Sequence, residues 1–115
     1  MVVEDDRIQR KLLCRQIQKR FRCSVVQAEN GVEGLRLIRE SLDRGHAIEH
    51  VLTDIDMPEM DGLKMTKSAR SIGYKGCVVA ASASESYRNQ SLVASGVDFF
   101  IKKPLGHALK SIFSG

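Results

Sequence analysis

Five short runs of β-branched and apolar residues, each followed by a segment of helical length, constrain this 115-residue chain more than any other feature. The runs are residues 1–3, 23–28 (CSVVQA), 50–53, 76–81 (GCVVAA) and 99–102. The fourth is apolar without alternation, as a strand covered on both faces should be. Between them the apolar spacing changes from two to between three and four. Ile8, Leu12, Leu13, Ile17 and Phe21 share one face of a predicted helix over Arg7–Phe21, with Asp6 as its N-cap. A second helix starts at Asn30-Gly31, turns Val32, Leu35, Ile38 and Leu42 inward and stops at Gly45. A third covers residues 62–71 and ends near Gly73, a fourth covers residues 85–95 with Gly96 at its end, and a last begins over residues 107–113. Strands alternating with helices predict a parallel sheet with right-handed crossovers and helices on both faces.

One domain is expected at this length, with a core large enough to need no staples. No apolar run reaches the roughly 20 residues of a membrane span, and MVVEDDRIQR has no basic region leading into an apolar one. Cys14, Cys23 and Cys77 are odd in number and form no CxxC pair, so a zinc site or disulfide framework is not expected. Reduced thiols in the core of a cytoplasmic protein are the expectation. The first strand is a stub and the last helix is about two turns, so both ends read as trimmed from a longer polypeptide. The net charge of +4 is local. Arg7, Arg10, Lys11, Arg15, Lys19, Arg20 and Arg22 fall in one segment without an acid, and the rest of the chain is net negative. That segment reads as a solvated face or as a surface for an acidic partner. No aromatic residue is interleaved before Phe21, so stacking platforms for nucleic acid are absent.

Ligands of an open parallel sheet bind beyond the carboxyl ends of its strands, where the strand order reverses. Glu4, Asp5 and Asp6 follow the first run, Asp54 the third, Ser82 and Ser84 the fourth, and Lys103-Pro104 the fifth. In the flavodoxin-like order 2-1-3-4-5, strands one and three are neighbours, so Glu4, Asp5 and Asp54 meet in one pocket. Three carboxylates need a cation there. Mg²⁺, with its preference for oxygen ligands and phosphate, suits them, and Mn²⁺ would serve equally. A carboxylate, a divalent cation, a lysine and a hydroxyl are the parts needed to make and hold an acyl phosphate.

VVEDD at 2–6, ENG at 29–31, LTDIDMPEMDG at 52–62, ASA at 81–83 and SGVDFFIKKP at 95–104, in this order, resemble the receiver domains of two-component response regulators over essentially the whole chain, residues 1–115. The resemblance implies a (βα)5 doubly wound α/β fold and a phosphoacceptor switch, not an enzyme in the usual sense. It implies Asp54 as phosphoacceptor, and Glu4 and Asp5 as metal-binding acids, with Asp54 and the backbone carbonyl of Asp56 completing the protein ligands. It implies Ser82 as the switch hydroxyl, Phe100 as the switch aromatic, and Lys103 as the phosphate-binding lysine aimed by a cis Lys103-Pro104 peptide. Asp56 and Ser84 stand where the family tunes phosphate lifetime. Glu59 reads as a solvated turn residue, and Asp61-Gly62 as the start of the third helix. The implied partners are a histidine kinase or histidine phosphotransfer protein, reached partly through the first helix, and a second copy through the helix 4/strand 5/helix 5 face. No membrane or nucleic-acid partner is implied for the domain itself. Two other readings are a phosphatase using the Asp54-x-Asp56 pair, as in haloacid-dehalogenase-like hydrolases, and a receiver fold used only for docking. Met57-Pro58 and the missing cap domain speak against the first, and the full set of site residues against the second.

Overall fold

The structure, a computed structural model, describes residues 1–82 and 96–102. The helices expected over 85–95 and from 107 onward, together with Ser84, Lys103 and Pro104, lie outside the described residues. The described elements run β1 (Val2–Val3), α1 (Arg7–Phe21), β2 (Gln27–Ala28), α2 (Gly31–Asp43), β3 (His50–Asp54), α3 (Gly62–Ser71), β4 (Cys77–Ser82) and β5 (Phe99–Lys102). All five strands are parallel, in the order β2-β1-β3-β4-β5. The fold class read from the alternation is therefore the observed one.

The sheet separates two apolar layers by the period-two alternation of its strands. Val3, Val51 and Val78 point to the face covered by α2 and α3, where they pack with Ile38, Met65, Ala69 and Tyr74. Leu52, Val79, Ala81 and Ile101 point to the other face and receive Leu13 and Ile17 of α1. Helix starts are capped as their sequences dictate: Asp6 accepts from Gln9 N at 2.9 Å, Asn30 from Glu33 N at 2.8 Å and Asp61 from Lys64 N at 2.8 Å.

Four expectations need correction. β2 covers Gln27–Ala28 and not residues 23–28, because β1 offers it only the rungs Val2↔Gln27 and Val3↔Ala28. On α1, Ile8 is 73% and Leu12 51% exposed. The helix docks through the stripe of Leu13, Cys14 and Ile17, rotated from the one its apolar spacing suggests. On α2, Val32 is exposed, and Gly31, Gly34, Ile38 and Ser41 face inward, since small residues let the helix lie close to its neighbours. Of the three thiols, all free, only Cys14 is buried; Cys77 is half-buried and Cys23 exposed.

Arg70 ties the far end of α3 to the segment that enters β5. Its guanidinium donates to Tyr74 O (2.9 Å), to Gly76 O (2.8 Å), twice to Gly96 O (3.0 and 2.9 Å) and to Asp98 Oδ2 (2.9 Å). Asp98 Oδ2 also accepts from Val78 N at 2.8 Å. No helix among the described residues is long and apolar enough to cross a membrane.

Candidate phosphoacceptor and metal site

Register builds the site. Val3 pairs with Thr53 in the β1–β3 ladder, so the next residues, Glu4 and Asp54, leave the sheet side by side. Asp54 in turn pairs with Ala81, which places Ser82, the last residue of β4, on the other flank. Glu4 is 2% exposed, and Asp54 and Ser82 are also buried, whereas Asp5 reaches solvent. Oxygens of Glu4, Asp5 and Asp54 lie within 4.8 Å of one another.

The surrounding backbone holds these groups in place. Glu4 N donates to Ala28 O at 3.0 Å, and Glu4 Oε2 accepts from Asp6 N at 3.1 Å. Arg10, on the first turns of α1, donates through Nη1 to Glu4 O at 2.8 Å and through Nε to Gln27 Oε1 at 3.3 Å. Thr53 Oγ1 donates to Asp54 O at 2.9 Å. The same carbonyl packs against Gly62, where a Cβ atom would lie only 2.3 Å from it. Glycine at the first position of α3 therefore lets that helix start directly against the strand end that carries Asp54.

Beyond Asp54 the chain turns sharply. Ile55 N donates to Ala81 O at 3.0 Å and Met57 N to Ile55 O at 3.1 Å. Ile55 and Met57 are buried, and Asp56 between them is exposed. Its Oδ2 accepts a hydrogen bond from Ser82 Oγ at 2.9 Å. Glu59, also exposed, adopts φ 66° in the turn that follows. Phe100, half-buried on β5, packs against the cluster of Ile55, Leu63 and Ala80.

Glu4, Asp5, Asp54, Ser82 and Asp56 are thus gathered at the carboxyl ends of the central strands, with Phe100 one packing layer away. Lys103, Pro104 and Ser84 lie outside the described residues. Two contacts escaped the sequence reading. Arg10 counted as one of seven basic residues on a solvated helix, yet it tethers the carbonyl of Glu4; its place one turn after the Asp6 cap is the only signal of it in the sequence. The Asp56–Ser82 bond joins residues 26 apart, which the parallel β3–β4 register alone brings together.

The donor set fits a hard divalent cation. An octahedral Mg²⁺ with bonds of about 2.0–2.1 Å spans about 4 Å between opposite oxygens. Three carboxylate oxygens within 4.8 Å need little closure to share such an ion, directly or through its waters. Without one, three negative groups this close repel each other.

A five-stranded parallel α/β sheet with an acidic pocket at the ends of β1 and β3 defines a doubly wound domain whose ligand site lies at the carboxyl ends of its strands. Comparison with known proteins makes the class specific. The family described as the response regulator receiver domain matches residues 1–111. The sensor histidine kinase RcsC of Salmonella typhimurium is 33% identical over 107 residues, 91% of this chain and 10% of that protein. The two-component response regulator ARR17 of Arabidopsis thaliana is 32% identical over 115 aligned residues, covering 91% of this chain and 74% of that protein. Among solved structures, the receiver domain of the Arabidopsis thaliana histidine kinase CKI1 complexed with Mg²⁺ superposes with a TM-score of 0.84. It is 28% identical, with 98% of this chain and 88% of that one covered.

The chain belongs to the response regulator receiver domain family, the phosphoacceptor domains of two-component signalling. It spans about a tenth of the length of the RcsC kinase it matches.

Proposed function

We propose that this chain is a phosphorylation switch in which Asp54 accepts a phosphoryl group from a phosphohistidine. The observation that carries the reading is the convergence of Glu4, Asp5 and Asp54 within 4.8 Å, with Ser82 at the adjacent strand end. A carboxylate oxygen of Asp54 attacks phosphorus, a P–O bond forms, and the P–N bond to the donor imidazole breaks. The imidazole leaves with the electron pair and takes up a proton, and Asp54 becomes an acyl phosphate. Glu4, Asp5, Asp54 and the carbonyl of Asp56 would hold Mg²⁺ or Mn²⁺, which supplies positive charge beside the phosphoryl oxygens. Glu4 holds its place through the Asp6 and Arg10 hydrogen bonds described above. Lys103, by the family resemblance, would offer a second cation to the phosphate. Ser82 donates its hydroxyl to a phosphoryl oxygen, and Phe100 follows by packing more deeply against Ile55 and Ala80. Such a change is a population shift driven by local charge.

The donor is a histidine kinase or histidine phosphotransfer protein. The exposed Ile8 and Leu12, flanked by Arg7, Lys11, Arg15 and Lys19, suit a partner surface that is apolar with an acidic rim. A second copy would meet the face that includes β5, where Phe99 is exposed.

Intact mass after incubation with acetyl phosphate tests the reading. One added phosphoryl group is expected with Mg²⁺, and none without it or in Asp54→Asn. Addition to Asp54→Asn at the wild-type level would place the acceptor elsewhere.

A further inference from the structure

We propose that the Asp56 side chain is a latch on the Ser82 hydroxyl, so that Ser82 must leave Asp56 before it can bind a phosphoryl group on Asp54. The inference rests on the phosphoacceptor reading and adds a positioning residue to it.

The backbone places the latch. Ile55 and Met57 are anchored in the core, and the Met57 N to Ile55 O bond of 3.1 Å closes a three-residue turn with Asp56 at its centre. Ile55 N continues the β3–β4 ladder by one bond to Ala81 O. The carboxylate of Asp56 is therefore held over the end of β4, and Ser82 Oγ lies 2.9 Å from its Oδ2. Ser82 itself is wholly buried, so its hydroxyl has few directions in which to turn.

A serine hydroxyl carries one hydrogen. Donation to Asp56 and donation to a phosphoryl oxygen therefore exclude each other. An ionised acceptor makes a stronger hydrogen bond than a neutral one, so the bond to Asp56 is a competitor of consequence. The incoming group also repels Asp56, because a phosphoryl group adds negative charge close to a second carboxylate. Phosphorylation then breaks the latch in two ways, by offering Ser82 a better acceptor and by pushing Asp56 outward. The side chain at position 56 thereby biases the unphosphorylated chain toward its resting form, through Ser82.

The test is a double-mutant cycle on affinity for beryllofluoride, a phosphoryl mimic, at saturating Mg²⁺, read by titration calorimetry. Asp56→Ala keeps the backbone carbonyl, and Mg²⁺ affinity is measured separately for every variant. Asp56→Ala is expected to tighten beryllofluoride binding on the order of three- to tenfold when Ser82 is present. In the Ser82→Ala background the same substitution should have much less effect. Ser82→Thr, which keeps the hydroxyl, should restore the coupling. Should the alanine cost the fold, Ser82→Cys, with its weak donor, replaces it. Equal tightening in both backgrounds would mean that Asp56 acts on the anion by charge alone, and the latch would be wrong. No tightening in either would also overturn it. Absence of beryllofluoride binding by a wild-type chain that binds Mg²⁺ would overturn the phosphoacceptor reading itself, and the latch with it.

Discussion

Replacing Gly62 by alanine should loosen the joint between α3 and the strand end that carries Asp54. The new Cβ atom would stand 2.3 Å from Asp54 O and 2.9 Å from Thr53 Oγ1. A carbon and a carbonyl oxygen need about 3.3 Å, so the start of α3 has to retreat by about 1 Å. Neither neighbour can give way cheaply, since one is backbone and the other is a buried threonine already bonded to Asp54 O. Overpacking of this kind costs about 1–3 kcal/mol. The retreat also breaks the 3.2 Å bond from Gly62 N to Ile55 O, worth about 1 kcal/mol. Alanine returns up to about 1 kcal/mol through its helix propensity. The net loss is about 1–3 kcal/mol, which for a domain of this size lowers Tm by roughly 4–12 °C. Thermal unfolding followed by circular dichroism measures it, with Gly45→Ala as the comparison. Gly45 has φ 75°, and a Cβ atom added there would meet nothing within 4 Å, so it should lose only the strain of a left-handed alanine, about 1 kcal/mol. Mg²⁺ affinity should fall in Gly62→Ala and not in Gly45→Ala. If Gly62→Ala melts at or above the wild-type temperature, the close approach of α3 to Asp54 is wrong.

Burial pushes the Tyr74 phenol up to about 12, and its hydroxyl donates to Ile48 O. The neutral form is the one the fold favours, so its contribution is intact below pH 10 and is lost as pH rises from about 10 to 12. The loss amounts to about 3 kcal/mol. Urea unfolding should show a shallower alkaline decline in Tyr74→Phe than in wild type; equal slopes would contradict this, since Cys14 and Cys77, also raised by burial, are common to both. Arg70→Ala removes donors to Tyr74, Gly76, Gly96 and Asp98 and should cost about 2–4 kcal/mol in the same assay. Arg70→Lys should recover little of it, because an ammonium cannot serve that fan of acceptors; a loss below about 1 kcal/mol would show the clasp to be superficial. Ile8→Ala and Leu12→Ala should leave stability within about 0.5 kcal/mol of wild type, as exposed positions do, while slowing phosphotransfer from the donor protein. A large fall in Tm would instead mean that α1 docks through its apolar spacing after all.

Much of the architecture was legible because its signals are local. Asp6, Asn30 and Asp61 cap their helices by bonds that reach only three residues along the chain. The unbroken apolar run before Ser82 has to be covered on both sides, and it is. The grouping of Glu4, Asp5 and Asp54 followed from strand order together with the rule that parallel sheets present their carboxyl ends to ligands. The face of α1 was misread for a physical reason. Ile8 and Leu12 continue the apolar spacing of Leu13 and Ile17, but periodicity records which residues share a face and not which face the sheet accepts. The extent of β2 was misread similarly, since CSVVQA has strand propensity throughout while β1 pairs with only its last two residues.

The sequence by itself determined the alternating parallel architecture, the helix caps and the identity of the acids at the strand ends, because each depends on neighbours in the chain or on a fixed topological rule. The tertiary structure alone decided how those residues meet. Burial of Leu13, Cys14 and Ile17 against the sheet turned Ile8 and Leu12 outward. The closeness of Gly62 to Asp54 set how tightly α3 abuts the site. The β3–β4 register, continued one bond past Asp54, brought a carboxylate and a hydroxyl 26 residues apart to 2.9 Å. Contacts of that kind depend on the exact offset between strands, and a shift of one residue would send every side chain to the opposite face.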